Sequence, residues 1–254
     1  MARAPVTGVV LAGGRGTRLA PLTARTSKQL LPIGGRPLVA RVIAQLVAAG
    51  VRDVLLVIDE RHAGQFLDRL RDGRALGLRS LGYAWQPAGG AGLPTAIGTI
   101  EHLLRTDKFV VACGDVLIEA PLRPAVAAFA RQRRGARILA TRVLDTAGYT
   151  PLRCTGSRVR ELADKDPGRH QPGLIDLGCY FYHKDVFDRI RALRPSSRAE
   201  TEIWELNRSY ATQGGLRFTE VAGWWCDVGT SLATYRRADA RYPTDRPDPV
   251  RLTL

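Results

Sequence analysis

The chain has 254 residues, of which 45% are hydrophobic, so it can bury a substantial core and is not disordered as a whole. Its 38 basic and 24 acidic residues give a formal charge of +14, which favours an anionic partner. Nucleic acid is disfavoured because no basic segment is interleaved with aromatic residues, and a small anionic ligand explains the sign equally well.

The cysteines and the apolar segments bear on metal binding and location. The four cysteines form no C-x-x-C pair, so we expect reduced thiols and no zinc site at Cys113, Cys154, Cys179 and Cys226. The apolar run near the start is too short for a signal peptide, and no later stretch could span a bilayer. We therefore expect a cytoplasmic protein that binds no membrane.

Strands and helices alternate through about residue 145. The pattern predicts strands at 7–12, 53–58, 81–86 and 109–113, with helices at 37–49, 63–70 and 93–104 between them. Buried apolar strands joined by helices are typical of a parallel sheet with helices on both faces.

The second half of the chain is less regular. It predicts a strand at 174–182, helices at 184–193 and 201–213, a strand at 216–221 and a helix at 231–240. The proline-containing tail at 242–254 is predicted to be irregular. No repeat or low-complexity linker divides the sequence, so we predict a single mixed α/β domain over residues 1–254.

A glycine-rich loop follows the first strand. The string LAGGRGTRLAPLT begins at Leu11, and SKQLLPI begins at Ser27. Bare glycine backbones let a phosphate approach closely, and Arg18 and Lys28 add the two cations that a triphosphate needs. A Rossmann fingerprint is disfavoured because Leu19 stands where its third glycine belongs, and no Walker A string occurs. A plain turn would not require Arg18 and Lys28.

These strings resemble the N-terminal fingerprint of the sugar-nucleotide pyrophosphorylases, and the glucose-1-phosphate thymidylyltransferases are the most similar members. Other elements resemble that family in the same order along nearly the whole chain: YAWQP from Tyr83, CGD from Cys113, KDP from Lys165, RAETEI from Arg198 and WCDVGT from Trp225.

The resemblance implies a Rossmann-like fold of the nucleotide-diphospho-sugar transferase type. Its sheet is expected to be mixed but mostly parallel, with helices on both faces. Residues 1–145 would bind the nucleotide and residues 146–241 the sugar phosphate. A sugar 1-phosphate would attack the α-phosphorus of a nucleoside triphosphate and release pyrophosphate, so the site needs positioning and charge neutralisation but no side-chain nucleophile.

The resemblance also assigns catalytic roles. Asp115 and Asp227 are expected to hold Mg²⁺ at strand ends, although each could instead be a turn or helix-cap aspartate. Arg18 is expected to bind the β- and γ-phosphates, and Lys28 the α-phosphate. The full set of nucleotide contacts is expected to be Leu11, Ala12, Gly13, Gly14, Gly16, Thr17, Arg18, Gln86 and Gly92.

Base and sugar recognition are expected in separate segments. Gln86 can pair with a pyrimidine edge through its amide donor and acceptor, so dTTP is favoured, followed by UTP. The sugar phosphate is expected to contact Tyr149, Asp164, Lys165, Asp176 and Arg198. Simple solvent exposure is the alternative for Lys165 and Arg198.

Several positions depart from the family pattern. Val116 replaces an asparagine, Asp164 a glutamate, Thr150 a glycine and Asp176 a valine. These changes lie on the sugar side and leave the triphosphate side intact. We therefore expect nucleotidyl transfer to a sugar phosphate other than that of glucose.

Two alternatives remain open besides nucleic-acid binding. A cytidylyl- or guanylyltransferase for an unusual sugar or phosphonate is disfavoured by Gln86 and the SKQLLPI string. A catalytically silent nucleotide-binding regulator would be expected to lose one of Arg18, Lys28, Asp115 and Asp227. A homo-oligomer is compatible with the resemblance. The chain ends soon after WCDVGT, so we expect no feedback site of the kind that longer relatives build from C-terminal helices.

Overall fold

The computed structural model of the protein describes residues 6–86, 92–197 and 199–242. Its strands are β1 (Thr7–Ala12), β2 (Pro32–Ile33), β3 (Arg36–Pro37), β4 (Asp53–Ile58), β5 (Ser80–Trp85), β6 (Lys108–Cys113), β7 (Val116–Ile118), β8 (Ala136–Val143), β9 (Pro151–Thr155), β10 (Arg158–Leu162), β11 (Gly173–His183), β12 (Leu216–Glu220) and β13 (Trp225–Asp227). Its helices are α1 (Leu38–Ala48), α2 (Ala63–Leu70), α3 (Leu93–Gly98), α4 (Arg123–Arg131), α5 (Val186–Ala192), α6 (Ile203–Thr212) and α7 (Leu232–Arg241).

A nine-stranded sheet runs through the described part of the chain in the order β5-β4-β1-β6-β11-β8-β12-β10-β9. The first four strands are parallel to one another, as their apolar runs predict. β11 is antiparallel to both β6 and β8, whereas β12 is parallel to β8. The prediction of a mixed, mostly parallel sheet is confirmed.

Helices cover both faces of this sheet, and the alternation of side chains in β1 shows why. Val10 and Ala12 belong to a core cluster that includes residues of α1, α2, α4 and α7. Val9 and Leu11 point the other way, into a cluster with residues of α3, α5 and α6. Because side chains alternate along a strand, a continuous apolar run buries both faces at once.

β11 changes partners along its length. One edge pairs with β8 both before and after the irregularity, whereas the other edge pairs with β9 at Leu174 and Ile175 and with β6 from Cys179 onward. The register shifts between Asp176 and Tyr180, where Gly178 takes a φ of +69° that favours glycine. Since β9 also pairs with β10, the five strands β11, β8, β12, β10 and β9 close into a ring.

Some predicted elements differ from the observed ones. The helix predicted at 93–104 ends at Gly98, and a separate 3₁₀ turn follows at Glu101–Leu103. The other predicted elements agree with the structure within about two residues. The elements that were not predicted are β2, β3, β7, β8, β9, β10, β13 and α4. The tail predicted at 242–254 lies outside the described residues, apart from Tyr242. Of the described helices, none is both long and apolar enough to cross a lipid bilayer.

Candidate active site

The carboxyl ends of β1 and β6 form the floor of a cleft. Gly114 N donates a 2.8 Å hydrogen bond to Leu11 O, which brings the loop after β1 against the turn after β6. A Cβ atom on Gly114 would lie 2.8 Å from that oxygen, so the approach requires glycine. A cavity of about 230 Å³ opens here, lined by Leu11, Gly13, Gly14, Lys28, Gln29, Gln86, Gly92, Leu93, Ala96, Cys113, Asp115 and Glu200.

A larger cavity of about 620 Å³ lies at the opposite end of these strands, beside Thr7 and Asp53. Two of its charged groups are already paired, since Arg79 Nε donates a 2.9 Å hydrogen bond to Asp53 Oδ1. Ligands of open α/β sheets bind at the carboxyl ends of the strands. The smaller cavity is therefore the candidate site.

The glycine-rich loop takes its shape from close approaches and left-handed backbone. Gly14 and Gly16 have φ angles of +109° and +63°. A Cβ atom on Gly13 would lie 1.8 Å from Gln86 Oε1, so only glycine lets Gln86 lie against the loop. Ala12, which precedes the loop, is fully buried and anchors it to the core. The backbone of the loop is consequently open toward the cavity.

Thr17 and Arg18 lie in a single 3₁₀ turn whose third residue, Leu19, is fully buried. Both are exposed, and the Arg18 guanidinium has no hydrogen-bond or ion-pair partner among the described residues. A fixed turn with an unpartnered guanidinium beside a glycine loop suits a phosphate, which arginine can bind bidentately.

Lys28, Asp115 and Asp227 meet at one point of the cleft. Lys28 Nζ donates a hydrogen bond to Asp115 Oδ2. The antiparallel pairing of β13 with β7 places Asp227 opposite Val116, and Val228 N donates to Asp115 O at 2.9 Å. Two chain segments that are more than a hundred residues apart thus bring both carboxylates to the same ammonium group.

Gly229 is the residue that leaves room for this cluster. A Cβ atom there would lie 2.8 Å from Asp115 Oδ2, 2.9 Å from Lys28 Nζ and 3.5 Å from Asp227 Oδ1. Gly229 N also donates a 3.2 Å hydrogen bond to Asp227 Oδ1. Gly229 therefore lets Lys28 and the two carboxylates pack directly against the backbone, where any larger residue would displace them.

The electrostatics of the cluster follow from its burial. Burial, and after it the Asp115 charge, raises the pKa of Asp227 to about 6 against the opposing effects of Lys28 and Lys165. Burial lowers the pKa of Lys28, but the hydrogen-bonded Asp115 and the nearby Asp227 outweigh it, so the pKa is raised overall. Lys28 is thus a cation at neutral pH, and the clustered carboxylates favour binding of a further cation.

These residues fit a divalent metal ion. Asp115 and Asp227 supply the carboxylate oxygens that Mg²⁺ prefers, and the absence of a side chain at Gly229 lets them lie close together. No group of three or more His, Cys, Asp or Glu side chains that could hold a metal occurs in the described ranges. An ion here would therefore share its coordination with substrate phosphates, which is the usual arrangement for Mg²⁺.

The predicted base contacts flank the cavity on its other side. Gln86 follows β5, and its backbone N donates to Ile58 O at 2.7 Å. Gly92 precedes α3 with a φ of +90°, and a Cβ atom there would lie 2.0 Å from Thr201 O. The first and second halves of the chain are therefore in contact at Gly92, beside the cavity.

The predicted sugar contacts lie toward β11. The Tyr149 ring packs edge-on against Trp225, with centroids 5.4 Å apart. Asp164 and Lys165 are exposed after β10, and the charge of Lys165 lowers the pKa values of both Asp176 and Asp227. Burial is the largest influence on Asp176 and raises its pKa to about 6. Arg198 lies outside the described residues.

Sequence reasoning missed Gln29, Glu200 and Gly229 as residues of this site. Gln29 is buried, its Nε2 donates to Gly13 O at 3.1 Å, and Ser27 Oγ donates to its Oε1 at 2.6 Å. It therefore clamps the glycine loop. Gln29 and Gly229 lie inside the SKQLLPI and WCDVGT strings, so the resemblance marked both positions. Their roles in the site become clear only from the contacts in the structure.

Comparisons with known proteins decide the family. The family model described as nucleotidyl transferase matches residues 7–242. A glucose-1-phosphate thymidylyltransferase of Actinoplanes sp. is 34% identical over 91% of this chain and 77% of its own length. The corresponding protein of Neisseria meningitidis is 31% identical over 91% of this chain and 81% of its own length.

The chain belongs to the nucleotidyl transferase family. It is a sugar-1-phosphate nucleotidylyltransferase, as its relatives are. Enzymes of this family generally need a divalent metal ion.

Solved structures agree with this assignment. A Bacillus anthracis protein assigned as a glucose-1-phosphate thymidylyltransferase superposes with a TM-score of 0.86 at 31% identity, covering 95% of this enzyme and 96% of that chain. A UDP-glucose pyrophosphorylase complexed with UDP-glucose superposes with a TM-score of 0.83 at 22% identity, covering 95% of this enzyme and 100% of that chain. The second likeness shows the shared fold alone.

A Gly229→Ala substitution is expected to lower kcat of the enzyme by about 10- to 100-fold, because the added methyl group displaces Asp115 or Lys28. Pyrophosphate release at saturating substrates measures the effect. Gly64→Ala is the matched control, since a Cβ atom at Gly64 meets nothing within 4 Å. Equal rates for the two variants would contradict the close packing of Gly229 against the cluster.

Proposed function

We propose that the enzyme transfers a thymidylyl group from dTTP to a sugar 1-phosphate in an Mg²⁺-dependent reaction. This proposal rests on one observation. Lys28, Asp115 and Asp227 lie close together around the backbone of Gly229, next to the glycine-rich loop. A cation and two carboxylates beside an anion-binding loop suit a metal–triphosphate complex.

The proposed reaction is a displacement at the α-phosphorus. A phosphate oxygen of the sugar 1-phosphate forms the new P–O bond while the bond to the β-phosphate oxygen breaks, and pyrophosphate leaves with the electron pair. The nucleophile is already an anion, so no general base is needed. Positioning and charge neutralisation are then the main contributions of the protein.

Each charged group has a place in this reaction. Arg18 binds the β- and γ-phosphates and neutralises the departing pyrophosphate, and Lys28 neutralises the transferring α-phosphate. Asp115 and Asp227 would hold Mg²⁺, which supplies Lewis-acid stabilisation of phosphate charge when bound. Lys165, whose charge acts on both Asp176 and Asp227, contacts the phosphate of the incoming sugar.

Gln86 reads the base in this proposal. A Gln86→Ala substitution is expected to raise KM for dTTP by about 10-fold, because up to two neutral hydrogen bonds to the base are lost. Initial rates against dTTP concentration measure the change, with the exposed Gln213→Ala as the control. A KM within twofold of the unsubstituted enzyme would remove Gln86 from base recognition.

The test of the function is pyrophosphate release with each nucleoside triphosphate paired against a panel of sugar 1-phosphates, with and without Mg²⁺. We expect metal-dependent release that is fastest with dTTP, then UTP. Faster release with CTP or GTP would refute the thymidylyl assignment. Nucleotide binding without release from any pair would refute the catalytic proposal.

A further inference from the structure

Separate chain segments meet between Asp227 and β11, in a region called the Asp176 subsite below. A Cβ atom on Gly178 would lie 3.2 Å from Cys113 Sγ and 3.6 Å from Val116 Cγ2, so the irregular part of β11 packs against the residues that flank the Asp115 turn. Asp176, two residues earlier, is thereby held next to that turn.

The other side of the subsite is closed by the loop before β9. Asp176 N donates a 3.2 Å hydrogen bond to Thr150 O, and Thr150 is buried. The neighbouring Tyr149 ring packs on Trp225, which lies in the same strand as Asp227. A continuous series of contacts thus connects the Asp115 turn to β11, β11 to the loop that contains Tyr149, and that loop to the strand of Asp227.

Asp176 is an unusual residue for its place in the fold. It interrupts an apolar strand between the buried residues Ile175 and Leu177. Its Oδ1 accepts a 2.7 Å hydrogen bond from Gly178 N, and it also bonds to the Tyr180 side chain. A carboxylate can accept about four hydrogen bonds, so acceptor capacity remains for a ligand.

The environment makes this carboxylate costly to maintain. Burial raises the pKa of Asp176 to about 6, even though the Lys165 charge and two hydrogen bonds act in the opposite direction. Gly178, which bonds to Asp176, packs against Cys113 of the candidate cavity, and the Lys165 charge lowers the pKa values of both Asp176 and Asp227, so Asp176 borders the region where the sugar phosphate would lie. Costly charges that border a substrate cleft are typical of functional groups.

We propose that Asp176 is a specificity-determining residue whose carboxylate accepts a hydrogen bond from a hydroxyl or ammonium group of the sugar ring. The subsite then selects sugar 1-phosphates that present such a donor and rejects uronic acid 1-phosphates, whose carboxylate would face a like charge. This inference rests on the proposed function for the position of the sugar phosphate.

Equilibrium binding tests the inference without turnover. Glucose, galactose, mannose, glucosamine and glucuronic acid 1-phosphates are titrated calorimetrically into the enzyme with Mg²⁺ and the α,β-methylene analogue of dTTP. We expect the unsubstituted enzyme to discriminate strongly against glucuronic acid 1-phosphate. Asp176→Val should weaken binding of the preferred sugar by roughly 10- to 100-fold and strengthen binding of glucuronic acid 1-phosphate. A gain of binding cannot arise from a misfolded variant.

The Asp176→Asn variant shows whether the donor on the sugar is a hydroxyl group or an ammonium group. It retains an acceptor without charge, so it should preserve most of the binding of a hydroxyl sugar but abolish a preference for glucosamine 1-phosphate. The exposed Asp188→Asn is the control and should leave all five affinities unchanged. Unchanged affinity for the dTTP analogue in both Asp176 variants establishes that the nucleotide side is intact.

Equal weakening of all five sugars in Asp176→Val would overturn the inference and assign Asp176 a structural role. Binding of the preferred sugar within twofold of the unsubstituted enzyme, or no binding of any sugar phosphate, would overturn it too. Preference for another nucleotide would refute the thymidylyl assignment alone and leave the role of Asp176 standing. Turnover of dTTP with unaltered sugar selectivity in Asp176→Val would refute only this inference.

Discussion

An Asp227→Asn substitution is expected to lower kcat by about 10³-fold. The change removes one of two carboxylates that meet Lys28 beside Gly229, and with it half of the proposed protein ligands for the metal ion. Pyrophosphate release at saturating dTTP and sugar 1-phosphate measures the loss. Raising the Mg²⁺ concentration should recover part of the rate, because a weakened metal site fills at higher concentration.

A measurement of thermal stability distinguishes a loss of catalysis in Asp227→Asn from unfolding of this variant. Burial and the Asp115 charge both raise the pKa of Asp227 above its unfolded value, so the ionisation of this carboxyl lowers the stability of the folded protein at neutral pH. The Asn variant should therefore melt no lower than the unsubstituted enzyme in the absence of metal. The exposed Asp72→Asn should retain full activity. Activity of Asp227→Asn within tenfold of the unsubstituted enzyme would exclude Asp227 from the metal site.

Replacing Lys28 by methionine is expected to lower kcat/KM by roughly 10²- to 10³-fold, because the α-phosphate loses a buried cation. The same change should lower the free energy of unfolding by roughly 1–3 kcal/mol, since Asp115 and Asp227 keep their charges without the ammonium between them. Steady-state kinetics and denaturant unfolding measure the two effects.

Lys184→Met provides the control for loss of a lysine charge. Lys184 Nζ lies 3.9 Å from Asp107 Oδ1 at a position far more exposed than that of Lys28, so little stability or activity should be lost. The pKa of Lys28 is raised in the folded protein, so its stabilising effect is fully present at neutral pH and is lost only as pH rises through that value. A Lys28→Met enzyme as active as Lys184→Met would refute the proposed role.

The parallel half of the fold could be predicted because its strands are continuous apolar runs. β1 and β4 were predicted with their observed bounds, since burial on both faces leaves little ambiguity. The β9–β10 hairpin was missed because each strand has only five residues and an irregularity between Val159 and Glu161 breaks the alternation of β10. The helix at Leu93–Gly98 was overextended because the pattern continues across the turn that ends it.

The site was predicted more completely in its motifs than in its contacts. The strings around Lys28, Asp115 and Asp227 marked those residues, and the structure brings all three together. The space beside Gly229 could not be predicted, because it depends on two segments distant in the chain. The enclosure of Asp176 also needs non-local information, since its strand changes partners at an irregularity that the local pattern does not reveal.

The ring of strands at the far end of the sheet has a consequence for association between molecules. Strand edges with unpaired amides can recruit the strands of other chains. β9 bonds to both β10 and β11, whereas β5 bonds only to β4 and is the outer strand at the other end of the nine-stranded sheet. Intermolecular strand addition is therefore favoured at β5, whose last residue is the exposed Trp85, directly before Gln86. Aggregation through that edge would also obstruct the nucleotide side of the cleft.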